Sequence, residues 1–191
     1  MATQFASRHW TRKEYDRLIE LGVIKPDERI ELIGGQMIVA EPKGSPHSTA
    51  VGLTADALRA AFGPGWVIRV QDAIALDDES EPEPDVAVVR GQWRDYRAEH
   101  PSRPVLVVEV AETSLAFDRR YKGSLYARAA LADYWIVNLQ RRVLEVYREP
   151  VPAPAACFGW SYARVRTLRE NATVSPLAGP DVTIAVADLL P

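Results

Sequence analysis

The stretch Pro104–Ser114, PVLVVEVAETS, sets one acid, Glu109, inside the otherwise apolar run Pro104–Ala111. Val-rich runs without polar alternation mark a strand covered on both faces, as in the middle of a sheet. A carboxylate inside such a strand is costly unless a cation or hydrogen-bond donors compensate it. What compensates Glu109 is therefore the first question this chain raises.

Upstream, Pro84-Asp85 precedes another Val-rich run, VAVV. If the two strands are neighbours, Asp85 and Glu109 arrive at one end of the sheet, where two carboxylates repel and need a cation between them. Mg2+ suits that place, because it takes hard oxygen ligands and commonly binds one or two carboxylates, waters and a substrate phosphate. The plainer alternative is that each acid is solvated at a strand end or paired with arginine.

Around these strands, TRKE reads as a capping box, Thr11 with Glu14, opening a short helix with Tyr15, Leu18 and Ile19 on one face. RIELIGGQMIV forms two strand-like runs about Gly34-Gly35, a strong hairpin signal. After the loop EPKGSPHS, a helix is expected over about Ser48 to Ala61, its apolar stripe made by Val51, Ala55, Leu58 and Phe62. WVIRV, DAIAL and DVAVV read as strands, Gln92 to His100 as a stretch with helical content, and DRRYKGSLYARAALA as a helix. DYWIVNL and RVLEVYRE pair as strands around QRR, and strands at WSYARVRT, ATVSP and VTIAVADLL close the chain. No repeat and no linker divides it. The expected fold class is α/β (α+β), a mixed central β-sheet flanked by helices, in one domain over 1–191.

Composition narrows the function. With 191 residues, 47% apolar and 26% charged, the chain can bury a full core. The longest apolar runs fall far short of the roughly 20 residues of a membrane-spanning helix, so no membrane partner is expected. The first residues show no apolar leader core, and the lone Cys157 excludes an internal disulfide; together these favour the cytoplasm. No Cys/His zinc spacing, G-x-S-x-G elbow, P-loop or dinucleotide glycine signature is present. Net charge is −3, yet it is uneven: seven acids and no base from Asp72 to Asp85, then eight Lys/Arg against five Asp/Glu from Arg90 to Arg128. A local basic face can meet a phosphate backbone on an acidic protein, although scattered arginines more often make a solvated surface.

EPDVAVV followed by PVLVVEVAETSLAFDRRYKGSLYARAALADYWIVNL resembles the Uma-type family of candidate endonucleases, long catalogued as a domain of unknown function. That family belongs to the PD-(D/E)XK nuclease superfamily with the restriction-endonuclease-like fold. The resemblance covers roughly Trp10 to Leu189, including ERIELIGGQMI, SPHS and the closing VTIAVADLL. It implies metal-dependent hydrolysis of phosphodiester bonds, with Mg2+ or Mn2+ as cofactor and DNA as the expected partner. By position, Asp85 is the PD aspartate and Glu109 the acid of the second strand, and the Val110 carbonyl completes the metal site. The usual motif lysine two residues after Glu109 is absent, since Ala111 stands there; the resemblance moves it to Lys122 on the next helix, as catalytic base or charge stabiliser. Glu31 matches an acidic position of the hairpin, or is a plain strand-edge acid. His47 either contacts phosphate or carries a proton, or simply opens its helix. Asp118 shares a helix face with Lys122 and is either functional or an N-cap. Tyr134 and Trp135 are expected in the core. AALADYW replaces the family's Gly-Val-Pro-Glu turn, and Asn138 stands where an aspartate is common.

The competing expectations are a catalytically inactive nuclease-fold module that binds nucleic acid or protein, and hydrolysis of another phosphate ester. Superfamily members often pair to cut both strands, so a homodimer is a further expectation.

Overall fold

The computed structural model describes residues 7–25, 27–39 and 43–191. The reading of a leader-free N-terminus falls in part on residues 1–6, and the loop read over 41–48 begins with Glu41 and Pro42; these lie outside the described residues. Along the chain come α1 (Arg12–Glu20), β1 (Ile30–Ile33), β2 (Gln36–Val39), α2 (Ser45–Phe62), β3 (Trp66–Val70), β4 (Val86–Arg90) and β5 (Leu106–Ala111). A continuous helical crossover follows: α3 (Leu115–Phe117), a π-helical turn (Asp118–Lys122) and α4 (Gly123–Arg128). Then come β6 (Asp133–Asn138), β7 (Val143–Pro152), β8 (Trp160–Arg169), β9 (Thr173–Val174) and β10 (Ile184–Ala185).

Six strands form the central sheet in the order β3-β4-β5-β6-β7-β8. Only β5 and β6 run parallel; every other neighbouring pair is antiparallel. The fold is thus a mixed α+β architecture, as the sequence pattern suggests. A parallel pair needs a crossover over one face of the sheet, and the helical stretch Leu115–Arg128 is that crossover. This single topological fact brings the helix bearing Lys122 onto the strand bearing Glu109.

Strand alternation divides the core in two. Val86, Val88, Leu106, Val108, Val110, Trp135 and Val137 face α2, whose Val51, Ala55 and Leu58 fill that side. Ala87, Val107, Ala111, Tyr134, Ile136 and Tyr147 face the crossover, packing on Tyr126 and Ala127. Burying a side chain of this size is worth about 1.5–3 kcal/mol, so both layers contribute heavily. Tyr134 and Trp135 are fully buried, as expected.

Local signals hold where the chemistry is local. Thr11 and Glu14 form a reciprocal capping box, and Gly34 and Gly35 take positive φ (56° and 76°) in the β1–β2 turn. A Cβ on Gly34 would also clash with the Phe158 ring. Four readings need correction. Helix α2 starts at Ser45, earlier than about Ser48, because Pro46 in its first turn has a φ already suited to a helix. Residues 72–76 are not a strand; Ile74, Ala75 and Leu76 donate their N–H groups to loop carbonyls of Pro82, Pro101 and Ser80. Prolines opposite lack the N–H that a ladder requires. Ile19 is exposed, leaving Tyr15 and Leu18 to seat α1. VTIAVADLL contributes only β10 before a 3-10 turn (Val186–Leu189). Among the described residues no helix is long and apolar enough to cross a membrane.

Candidate active site

β4 and β5 pair with Val86 opposite Val108. One further step in that register sets Asp85 beside Glu109, and alternation turns both toward the crossover face. Both acids line one cavity of about 410 Å³. Glu31 from β1, His47 from α2, Val110 from β5, and Asp118 and Lys122 from the π-turn line it as well. Every site residue named from the sequence therefore meets in a single place. Asp85, Glu109 and Lys122 are 4%, 3% and 6% exposed, so their charges act in a poorly screened medium.

Lys122 is the hub. Its Nζ lies 3.0 Å from Glu109 Oε1 and 3.2 Å from Glu31 Oε2. The Tyr126 hydroxyl, one helical turn on, donates to the same Glu109 oxygen at 2.7 Å. The opening question thus has its answer in this structure: a lysine and a tyrosine, not an arginine, face Glu109. Burial alone would lower the Lys122 pKa, but Glu109, Glu31, Asp118 and Asp85 together raise it well above the usual lysine range. Lys122 is thereby held in its charged form among these acids.

Compensation is incomplete. Burial, with Asp85, Asp118 and Glu31 adding to it, pushes the Glu109 pKa up to about 8 against the pull of Lys122. Asp118 is likewise raised by burial to about 6, opposed by Lys122 and by the Ser114 hydroxyl that donates to it at 2.5 Å. Asp118 lies within the continuous helical crossover, so it is not an N-cap. The described lining carries six carboxylates (Glu31, Glu83, Asp85, Glu109, Glu112, Asp118) against Lys43, Lys122 and His47.

Asp85 differs from Glu109. Lys43 Nζ reaches its Oδ1 at 2.6 Å, His47 Nε2 its Oδ2 at 3.2 Å, and the Val110 N–H donates to Oδ2 at 2.8 Å. Burial works against ionisation, yet the His47 hydrogen bond and the Lys43 charge hold this carboxyl well below the usual range. Gln71, in the left-handed region at φ 54°, adds a contact from Nε2 to Oδ1 at 3.3 Å. Val110 therefore contributes its N–H to the arrangement here, a contact that the sequence reading of its carbonyl did not include. His47 is buried within α2, with Nδ1 unpartnered.

Three contributors escaped the sequence reading: Lys43, Gln71 and Tyr126. Tyr126 had a readable signal, since it follows Lys122 by four residues. Lys43 sits four residues before His47 in a loop without periodicity, and Gln71 just past a strand end; neither spacing distinguishes them from surface residues.

All the lining acids offer hard oxygens, which suit Mg2+ or Mn2+. Among the described residues no three His, Cys, Asp or Glu side chains are gathered into a ready metal cage. Mg2+ does not require one, because waters and substrate oxygens fill most of its octahedron. Lys43 and Lys122 hold their ammonium groups against Asp85 and Glu109, at 2.6 and 3.0 Å.

A sheet of this topology, with an acid pair and a lysine at one strand end, defines a class of protein rather than a single member. The sequence profile of the Uma2 family, described as "Putative restriction endonuclease", matches residues 12–187, and the chain belongs to that family. Its fold is similar to a crystal structure described as "a putative nuclease belonging to DUF820" from Anabaena variabilis ATCC 29413, with a TM-score of 0.64 over 89% of this chain and 94% of the other. Their 14% identity makes this a likeness of fold. No curated protein matches the chain in sequence.

Proposed function

We propose that the protein is a Mg2+- or Mn2+-dependent endonuclease that hydrolyses phosphodiester bonds of DNA. Asp85, Glu109 and the Val110 carbonyl would hold the ion. The observation that carries this reading is the gathering of acids around few cations in one cavity, with Glu109 pushed up to about 8 by burial and by the acids beside it. Family membership and fold support the reaction class.

When bound, a divalent ion supplies charge to polarise a phosphate oxygen and to lower the pKa of an attacking water. The chain's own residues do the rest. Lys122, fixed by Glu109 and Glu31, presents a cation to the negative charge that develops on the phosphate. Tyr126 keeps the Glu109 carboxylate oriented, and the Val110 N–H does the same for Asp85. Lys43, at the cavity wall, attracts the anionic substrate.

The test incubates wild type, Glu109→Ala and Lys122→Ala with plasmid and single-stranded DNA in Mg2+, Mn2+ or chelator. Metal-dependent cutting by wild type alone is the expected result. No cutting by wild type under any condition overturns the proposal and favours a non-catalytic binding module.

A further inference from the structure

Glu109, Ile136 and Glu145 occupy one row across β5, β6 and β7. Two strand spacings place Glu109 and Glu145 about 9–10 Å apart on the face covered by the crossover. The crossover meets both acids. Lys122 reaches Glu109, and Arg119, three residues earlier, grips Glu145 with two hydrogen bonds, from Nε at 2.8 Å and from Nη2 at 2.6 Å. Asn138 Nδ2 and the Tyr147 hydroxyl complete the Glu145 shell at 2.9 and 2.8 Å.

Between Arg119 and α4 the helix departs from α geometry: the Gly123 N–H bonds to the Asp118 carbonyl, five residues back. The wider turn shifts everything beyond it by about one residue, roughly 100° of helical phase. Contacts fix the phase on both sides. At the start of the turn, Arg119 is held by Glu145, and Phe117 just before it stacks on Tyr121 at 5.1 Å. After it, Leu125, Tyr126 and Ala127 are fully buried. The turn itself is tied down by the Tyr134 hydroxyl, which donates to the Asp118 carbonyl at 3.1 Å, and by the missing side chain of Gly123, where a Cβ would crowd that oxygen at 3.3 Å. Lys122 is the last residue of this turn. The Arg119 side chain is 39% exposed, so exposure alone would class it as an ordinary surface arginine.

We propose that the Arg119–Glu145 pair is a positioning clamp that holds the π-turn and so directs Lys122 toward Glu109 and Glu31. Arg119 acts through the helix and does not touch the substrate. Removing the grip lets the turn relax toward α geometry and swings Lys122 out of the cavity.

The test uses the full-length chain, metal-free, with brief acetic anhydride labelling and mass spectrometry. Lys122 is scored against the exposed Lys13 and Lys25. Arg119→Ala and Glu145→Gln are expected to raise Lys122 labelling about tenfold relative to those controls, while Arg119→Lys, keeping charge but losing the fork, falls between. Near-UV circular dichroism confirms that each variant is folded; should Arg119→Ala fail to fold, the other two carry the comparison. Because this inference rests on the endonuclease reading, steady-state cleavage adds a second arm. There, Arg119→Ala loses about tenfold or more in kcat with KM within about twofold, as expected for misdirection of a group used in the transition state. Unchanged Lys122 labelling in folded variants overturns the clamp. If wild type does not cut, the nuclease reading falls and the labelling result still decides the clamp by itself.

Discussion

Glu109 and Glu145 are two acids in one row of one sheet, both nearly inaccessible, and they differ in how fully their charge is met. Glu145 accepts from Arg119 twice, from Asn138 and from Tyr147; although burial opposes it, these bonds draw its pKa below the usual range. Glu109 accepts from Lys122 and Tyr126, but burial, with three more carboxylates adding to it, raises its pKa to about 8. A buried acid whose partners match its charge serves the fold. One left short of positive charge beside a cavity is prepared for something that brings it.

The largest expected effect is on chemistry. Glu109→Ala should reduce cleavage by about 10²–10³-fold, the scale of losing one preorganised electrostatic group, without lowering the melting temperature. A large loss of stability would make Glu109 as structural as Glu145 and dissolve the contrast. Glu145→Ala should differ by also costing about 2–3 kcal/mol of stability in urea unfolding, because a buried donor shell loses its charged acceptor, beside the smaller cleavage loss that release of the clamp brings. Next, Mg2+ at tenfold above its dissociation constant should stabilise wild type and Glu145→Gln by about 1.4 kcal/mol and leave Glu109→Gln unmoved. Equal stabilisation of all three would place the ion elsewhere.

The two acids also pull stability in opposite directions with pH. Glu145 is depressed, so its contribution is present above the unfolded carboxylate value of about 4.3 and fades as pH falls through its lower folded value. Asp118 and Glu109 are raised, so what they contribute is full below the unfolded value and is lost as pH rises through about 6 and then about 8. The metal-free protein should therefore melt a few degrees lower at pH 8.5 than at pH 5.5, and Glu109→Gln should flatten the upper part of that slope. A melting temperature that climbs across this range would contradict the charge surplus. The smallest effect belongs to Tyr126→Phe, about 1 kcal/mol or less by thermal unfolding, since Lys122 remains on Glu109.

Much of this was readable beforehand. The Thr11–Glu14 box, the Gly34-Gly35 turn and the α2 stripe depend on residues within one turn of each other, and the structure has all three. Asp85 and Glu109 were legible from a local setting, a PD dipeptide before a Val-rich run and an acid in an apolar strand, whereas Lys122 was named through the family resemblance, since by composition it reads as a surface lysine. Lys43 and the Arg119–Glu145 grip were not, since a long flexible cation carries no local mark of the acid it will meet. Residues 72–76 misled for a related reason: their apolar pattern reported burial correctly, but prolines across the gap left no ladder to join.

Periodicity and turn chemistry act over a few residues, and from them most helices and strands follow in chain order; the acids beside Val-rich runs and the family resemblance named the residues able to carry chemistry. Which acid would be satisfied and which left short of charge was decided by the fold. That outcome depends on distances of about 3 Å between residues far apart in the chain, and on the low dielectric around them, which exist only once β5, β7 and the crossover have packed.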